Sequence, residues 1–337
     1  MKNTAYLLVN FGGPRNLEEI PSFLKALLTD QDVLRTNFPK PLHKLIFSYV
    51  AKKRAPKITP DYLKIGGRSP IYEDTEAIAK AVSAYMQKEV LTFHRYLPST
   101  HKDSLRKISS LQAQEIRIFP LFPQFSYATT GSIARFFAEN LPSRISNRMR
   151  WIKSYPTDSL YIAAFQKIIQ DFLHEKRLSE KETTLVFSAH GLPKKFIDTG
   201  EVYQTECIAS FHALKKAFPA CQSILSYQSK FGRGEWLRPY TDELCQEAPV
   251  WNKGRKNVVF IPLSFTSDHI ETLFEIEYLY LPIIREKGFA AFRCPSLNQN
   301  PLWIEAISSL LEKENNLCIN QMLIFSKKKA GKISRLF

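Results

Sequence analysis

The segment 264-SFTSDHIETLFEIEY-278 sets Asp268, His269, Glu271 and Glu275 directly behind an apolar run, 258-VVFIPL-263. Metal-capable and proton-transferring groups thus crowd the end of what reads as a buried strand. Asp268 with Glu271 three residues on also fits a capping box, in which the glutamate reaches back to the cap amide. Glu271, Glu275 and Tyr278 recur at i, i+4 and i+7, so an α-helix starting here presents all three on one face. Two carboxylates so placed repel unless a cation or a proton sits near them.

A second cluster lies in 184-TLVFSAHGLP-193. His190 stands at a strand end between Ala189 and Gly191, whose small size lets a ligand approach closely. If the two strand ends face each other, an imidazole and a carboxylate meet across a cleft. Imidazole suits Fe, Zn, Cu and Ni, and carboxylate is a hard oxygen ligand. Two protein ligands plus water make an open, exchangeable site, fitted to passing a metal on more than to storing it. Both groups also take up protons near neutral pH when suitably tuned. His43, His94, His101, His174 and His212 fall in basic, polar or helical segments and read as background.

The elements that must position these groups alternate. Short β-rich runs occur at Tyr6–Val9, Glu115–Phe119, Arg150–Lys153, Thr184–Phe187, Ser223–Ser226, Val258–Ile261 and Ala290–Arg293. Helical periods lie between them: Ile78, Val82 and Tyr85 in 74–90, and Ile162, Phe165, Ile169 and Phe172 in 158–176. Such alternation predicts parallel sheets flanked by helices. Five strands end in polar or glycine-bearing clusters, beginning at Asn10, Pro123, Ser188, Gln228 and Ser264. Open α/β sheets bind ligands outside the carboxyl ends of their strands, so these clusters are the predicted active edge. The strands fall into two sets split near residue 155, which predicts two similar domains across a cleft.

Bulk properties agree with this reading. A length of 337 residues suits about two domains, and 44% hydrophobic with 23% charged residues is ordinary globular composition. The net charge of +15 favours anionic partners. Nothing marks nucleic-acid binding. The apolar stretch Ala5–Val9 is too short for a signal core, and no run approaches a membrane span. Cys207, Cys221, Cys245, Cys294 and Cys318 form no CxxC pair, so neither a zinc knot nor a disulfide framework is expected, and a reducing cytoplasm is the expected location. The basic tail 327-KKKAGK-332 reads as solvated chain, with an acidic membrane surface as its alternative contact.

Seven segments, in order, resemble ferrochelatases: 7-LLVNFGGP-14, 51-AKKRAPKI-58, 65-IGGRSPI-71, 123-PQFSYATTGS-132, 187-FSAHGLP-193, 227-YQSKFGRGEWLRPYTDE-243 and 262-PLSFTSDHIETLFEIEY-278. The resemblance implies two Rossmann-like domains of the chelatase type with a cleft between them. One domain would span 1–155, with 305–337 packing back on it, and the other 156–304. It implies insertion of ferrous iron into a porphyrin, most simply protoporphyrin IX, to give haem. Iron is then a substrate, and no cofactor is tightly bound. His190 and Glu271 would be the metal- and proton-handling pair, with Asp268, His269 and Glu275 as an acidic relay. Asn10, Phe11, Lys53, Arg54, Ser69, Phe125, Ser126 and Trp236 would contact the porphyrin: aromatic residues its flat body, cations its propionates. The amphipathic segment 42–53 would form a pocket lip touching the inner face of a membrane. Cys318 alone cannot hold a [2Fe–2S] cluster, so none is expected. The loop 200-GEVY-203 departs from the family's GDPY, and Phe11 stands where relatives often carry Met or Tyr. Coproporphyrin as substrate, a cobalt or nickel tetrapyrrole chelatase, and a non-catalytic porphyrin- or metal-binding protein are the competing readings.

Overall fold

The computed structural model describes residues 3–232, 234–315 and 317–326. The basic tail at 327–332 lies outside them. Two compact α/β units emerge: one takes the described residues up to Ser154 and those from Ile304 on, the other runs from Tyr155 to Trp303. The described strands are β1 Thr4–Asn10, β2 Val90–His94, β3 Glu115–Pro120, β4 Met149–Ile152, β5 Thr183–His190, β6 Gln222–Gln228, β7 Asn257–Pro262, β8 Ala290–Arg293 and β9 Leu317–Ile319.

The first unit carries the sheet β2-β1-β3-β4-β9. Its first four strands are parallel, while β9 runs antiparallel to β4 at the edge. The expected parallel sheet is thus present in those four strands, and β9 adds an antiparallel edge that the residue pattern did not announce. Leu7, Leu8 and Val9 are fully buried, because a parallel sheet covered by helices on both faces needs apolar residues on both. The strand β2 was not foreseen. The helical pattern at 74–90 runs on through Gln87, Lys88 and Glu89, all good helix formers. The helix Ile71–Met86 instead stops where Gln87 turns left-handed, at φ 54°, and the chain enters β2. Ile78 and Val82 are fully buried as expected, but Tyr85 is exposed. The C-terminal segment is tied back onto this unit. The Arg117 guanidinium donates to the Leu311 carbonyl at 2.9 Å, and Trp151 Nε1 donates to Asn320 Oδ1 at 3.0 Å.

The helix Lys40–Lys64 holds the segment read as amphipathic. Its apolar side is not buried: Leu45 and Tyr49 are 71% and 63% exposed. With Leu17, Pro21 and Lys25 they line a groove of about 950 Å³ beside the helix Ile20–Leu28. His43, read as background, is instead fully buried, with Nδ1 2.9 Å from Thr36 Oγ1. Among the described residues no helix is long and apolar enough to cross a membrane. All five cysteines are free thiols, four of them buried.

The second unit is built on the all-parallel sheet β6-β5-β7-β8. Asp158 caps the helix Ser159–Glu175 by accepting the Leu160 and Tyr161 amides. In each unit the chain lays down one strand on one side of its first strand, then crosses to the other side. The switch points are therefore β1/β3 and β5/β7, and ligand crevices form at the carboxyl ends of such pairs. In the second unit that position belongs to His190, the last residue of β5, and to the segment that leaves β7 at Leu263.

Candidate active site

Every residue of β5 is buried except the last, so the strand delivers His190 from the core to a partly open end. Its neighbour Gly191 has no room for a side chain, since a Cβ there would sit 2.8 Å from the Gln228 carbonyl. That carbonyl accepts the Gly191 amide at 2.8 Å, which pins the turn after His190 to the end of β6. The His190 backbone is gripped from both sides. Its N–H donates to Ser264 Oγ at 2.9 Å, and its carbonyl accepts from the Tyr203 hydroxyl at 3.0 Å. Tyr203 closes the divergent 200-GEVY-203 loop, so that loop helps fix the imidazole's backbone.

His190 and Glu271 do not face each other across a gap. They leave adjacent strands of one sheet, and His190 Nδ1 lies 2.7 Å from Glu271 Oε2. The cross-cleft expectation fails because strand order, which the residue pattern does not reveal, makes β5 and β7 neighbours. A carboxylate on Nδ1 holds the proton there and leaves Nε2 as the basic nitrogen of the neutral ring. Burial works against charge on the imidazole, but the Glu271 carboxylate outweighs it and raises the His190 pKa. Burial likewise resists ionisation of Glu271, and the His190 charge and hydrogen bond overcome it, holding this acid well below the usual carboxylate range.

Glu271 opens a π-helix, Glu271–Tyr280. Its wider turn changes which side chains stack. Side chains five apart now align, so the Tyr280 hydroxyl lies 3.4 Å from Glu275 Oε2. The α-helical spacing pointed to Tyr278, which is instead exposed and stacks on Phe274. The end of β6 braces this helix. Gln228 Nε2 donates to the Glu271 carbonyl at 2.8 Å and to Glu275 Oε2 at 3.1 Å. The Ser188 hydroxyl orients that amide by donating to Gln228 Oε1 at 2.7 Å. Ser229 Oγ donates to Glu275 Oε2 at 2.6 Å.

Burial and the charge of Glu271 push the Glu275 acid up to about 7. A folded-state value above the unfolded one means the native protein keeps this proton where the unfolded chain has lost it. The associated stability is complete below about 4.5 and is lost as pH rises through about 7. Glu275→Gln mimics the neutral acid, so it should match wild type near pH 5 and exceed it by about 1 kcal/mol at pH 8. Urea unfolding at both pH values reads this, and a gap of equal size at both would contradict it.

Of the other expected relay members, Asp268 is drawn into a separate network, while His269 stays near enough for its charge to help lower the Glu271 pKa. Asp268 is taken up by four side-chain donors: Thr272 Oγ1 at 2.7 Å, Arg293 Nη1 at 3.0 Å, Ser296 Oγ at 3.1 Å and Asn298 Nδ2 at 2.9 Å. That is the geometry of a clamp at the start of the helix. Nor does the capping box form, since the Asp268 amide donates to Asn298 Oδ1 at 2.8 Å and not to Glu271. His269 Nδ1 sits 3.1 Å from the Ser267 carbonyl, and its ring packs on Phe265.

Of the expected porphyrin contacts, Trp236 belongs to the second unit. It is buried, packs on Phe231 and forms a β-bridge with Pro193 in the turn after His190. The remainder lie in the first unit. Asn10 ends β1, fully engaged: its Nδ2 donates to Thr75 Oγ1 at 2.9 Å and its Oδ1 accepts the Phe11 amide at 2.7 Å. Phe11 is half-buried against Tyr96 and Phe23. Ser69 is buried, and its amide donates to the Pro14 carbonyl. Phe125 is buried beside Tyr127 under Lys153 Nζ, and Ser126 caps the short π-turn Tyr127–Gly131. Phe125 and Trp236 therefore present no open aromatic face, and Ser69 and Ser126 have local structural partners. Lys53 and Arg54 are exposed on the helix Lys40–Lys64.

Sequence reasoning missed Tyr203, Gln228, Ser229, Ser264 and Tyr280. Gln228, Ser229 and Ser264 sat in clusters recognised as strand ends, which was signal enough to single them out. Tyr280 gave none, because its place depends on the π-helix.

Known proteins carry the same plan. The ferrochelatase family model matches residues 3–315. The chain is 42% identical over 329 residues to ferrochelatase of Chlamydia pneumoniae, covering 98% of each. It is 42% identical over 326 residues to ferrochelatase of Chlamydia muridarum, covering 97% of this chain and 100% of that one. Among solved structures, CbiX, the terminal enzyme of sirohaem biosynthesis in denitrifying bacteria, aligns with a TM-score of 0.52 at 14% identity, covering 92% of this chain and 100% of its own. SirB from Bacillus subtilis with Fe3+ gives 0.52 at 14% identity, covering 92% and 94%. At that identity the two structures speak to the fold alone, which is the chelatase fold. The family match runs through both units and through the His190 and Glu271 segments alike: the chain belongs to the ferrochelatase family of porphyrin metal chelatases.

Proposed function

We propose that this chain inserts ferrous iron into protoporphyrin IX, giving haem, and that His190 and Glu271 handle the metal and the protons. The observation that carries this is the 2.7 Å pair of His190 Nδ1 and Glu271 Oε2 at a switch point of the second sheet. A free-base porphyrin has two inner N–H protons, and Fe2+ replaces both. His190 Nε2 takes one, and the Glu271 carboxylate stabilises the imidazolium that forms. Glu275, titrating near neutrality, can accept the other and release it to water. Binding energy on the ring's periphery offsets the strain of the buckling that exposes its nitrogen lone pairs. Phe11 is the proposed contact for the ring body, and Lys53 and Arg54 for the propionates.

The test is anaerobic incubation of purified protein with Fe2+ and either protoporphyrin IX or coproporphyrin. Loss of free-porphyrin fluorescence is followed, and the product is identified by mass. Many haems per protein from protoporphyrin IX are expected. Turnover of coproporphyrin alone would reassign the substrate, and stoichiometric binding without turnover would overturn the enzymatic reading.

A further inference from the structure

We infer that Ser229 is a positioning residue for iron insertion: from a left-handed backbone turn, its hydroxyl gathers the Glu271 and Glu275 carboxylates onto one donor. This rests on the function proposed above. Ser229 follows the last residue of β6 and has φ 64°, a region where glycine is the ordinary choice and other residues carry a cost. A side chain at this position therefore needs a use. Its Oγ lies 2.6 Å from Glu275 Oε2 and 3.3 Å from Glu271 Oε2. The Glu271 oxygen is the same one that meets His190 Nδ1. Its backbone amide points to the Tyr280 hydroxyl at 3.5 Å, which in turn reaches Glu275 Oε2. The turn thus aims both polar groups of one residue at the first two turns of the π-helix. Without that donor, the two acids lose the hydroxyl that holds their oxygens together, and the imidazole loses the fixed oxygen that orients it. Ser229 acts through Glu271 and Glu275 and does not itself touch the reacting atoms.

Two substitutions separate this role from a structural one. Ser229→Gly removes the hydroxyl and relaxes the backbone. Ser229→Thr keeps the hydroxyl and burdens the left-handed turn with a β-branched side chain. We expect S229G to keep or raise the wild-type Tm while kcat falls about 10- to 100-fold, with the KM for porphyrin within about twofold of wild type. S229T should melt lower than wild type yet retain kcat within about threefold of it. S229G turning over at the wild-type kcat would overturn the inference, and so would S229T losing kcat as S229G does. An inactive wild type in the same assay overturns the iron-insertion reading and this one together. An active wild type matched by S229G overturns this one alone.

Discussion

His190→Ala and Glu271→Gln should each lower kcat for iron insertion about 10³-fold while leaving the protein folded, because each removes one half of a proton-handling unit. The fold should survive because the two side chains sit at a strand end, 31% and 21% exposed, where truncation opens no sealed cavity. The two variants differ in what they leave. Without the imidazole, no base remains on the Nδ1 partner of Glu271, so activity should be low at every pH. In E271Q the imidazole remains but loses the carboxylate that raised its pKa. The base must be neutral to act, so the acid limb of that variant's residual kcat profile should move to lower pH. Stopped-flow fluorescence across pH 5–9 with Fe2+ and porphyrin reads both effects. Wild-type rates in either variant would remove the pair from the chemistry.

How far the sequence led depended on the length scale of the force involved. Strands β5 and β7 were legible because a parallel sheet buried on both faces demands apolar runs such as Thr184–Phe187 and Val258–Ile261. His190 and Glu271 were legible by residue type and by standing at strand ends. Their contact was not, because it follows from strand order, a long-range property that periodicity does not encode. The π-helix defeated local reasoning for another reason. Its registry is imposed from outside, by the Gln228 amide on the Glu271 carbonyl and by the Asp268 clamp. Spacing rules for an α-helix therefore chose Tyr278 where the fold uses Tyr280. Phe125 and Trp236 show the converse limit. Aromatic character identifies surface that must be covered, but burial decides what covers it, and in both cases that is protein.

Asp268 offers the sharpest separation of a relay from a clamp. Its carboxylate and the Arg293 guanidinium are each 13% exposed, and Arg293 also pairs with Glu277 at 2.9 Å. One anion thus ties the start of the π-helix, through Thr272, to β8 through Arg293 and to the following loop through Ser296 and Asn298. Asp268→Ala strips a partner from four donors, two of them fully or almost fully buried in Thr272 and Ser296. Arg293 keeps Glu277, so the cost is that of several orphaned hydrogen bonds more than of a wholly unpaired charge. About 3 kcal/mol of destabilisation is expected, seen in urea unfolding as a lower midpoint at unchanged slope. Activity should fall too, because Glu271 is carried by the helix this clamp starts, and that loss should worsen with temperature as the helix start loosens. A relay role predicts the opposite pattern, with stability near wild type and a temperature-independent fall in kcat. Asp268→Asn sharpens the choice: its amide oxygen can still accept from Thr272, Arg293 and Ser296, which share Oδ1, and only Asn298 then faces an NH2, so the clamp reading expects D268N to be destabilised less than D268A and to keep most of its activity. A stable but inactive D268N would return Asp268 to the proton path.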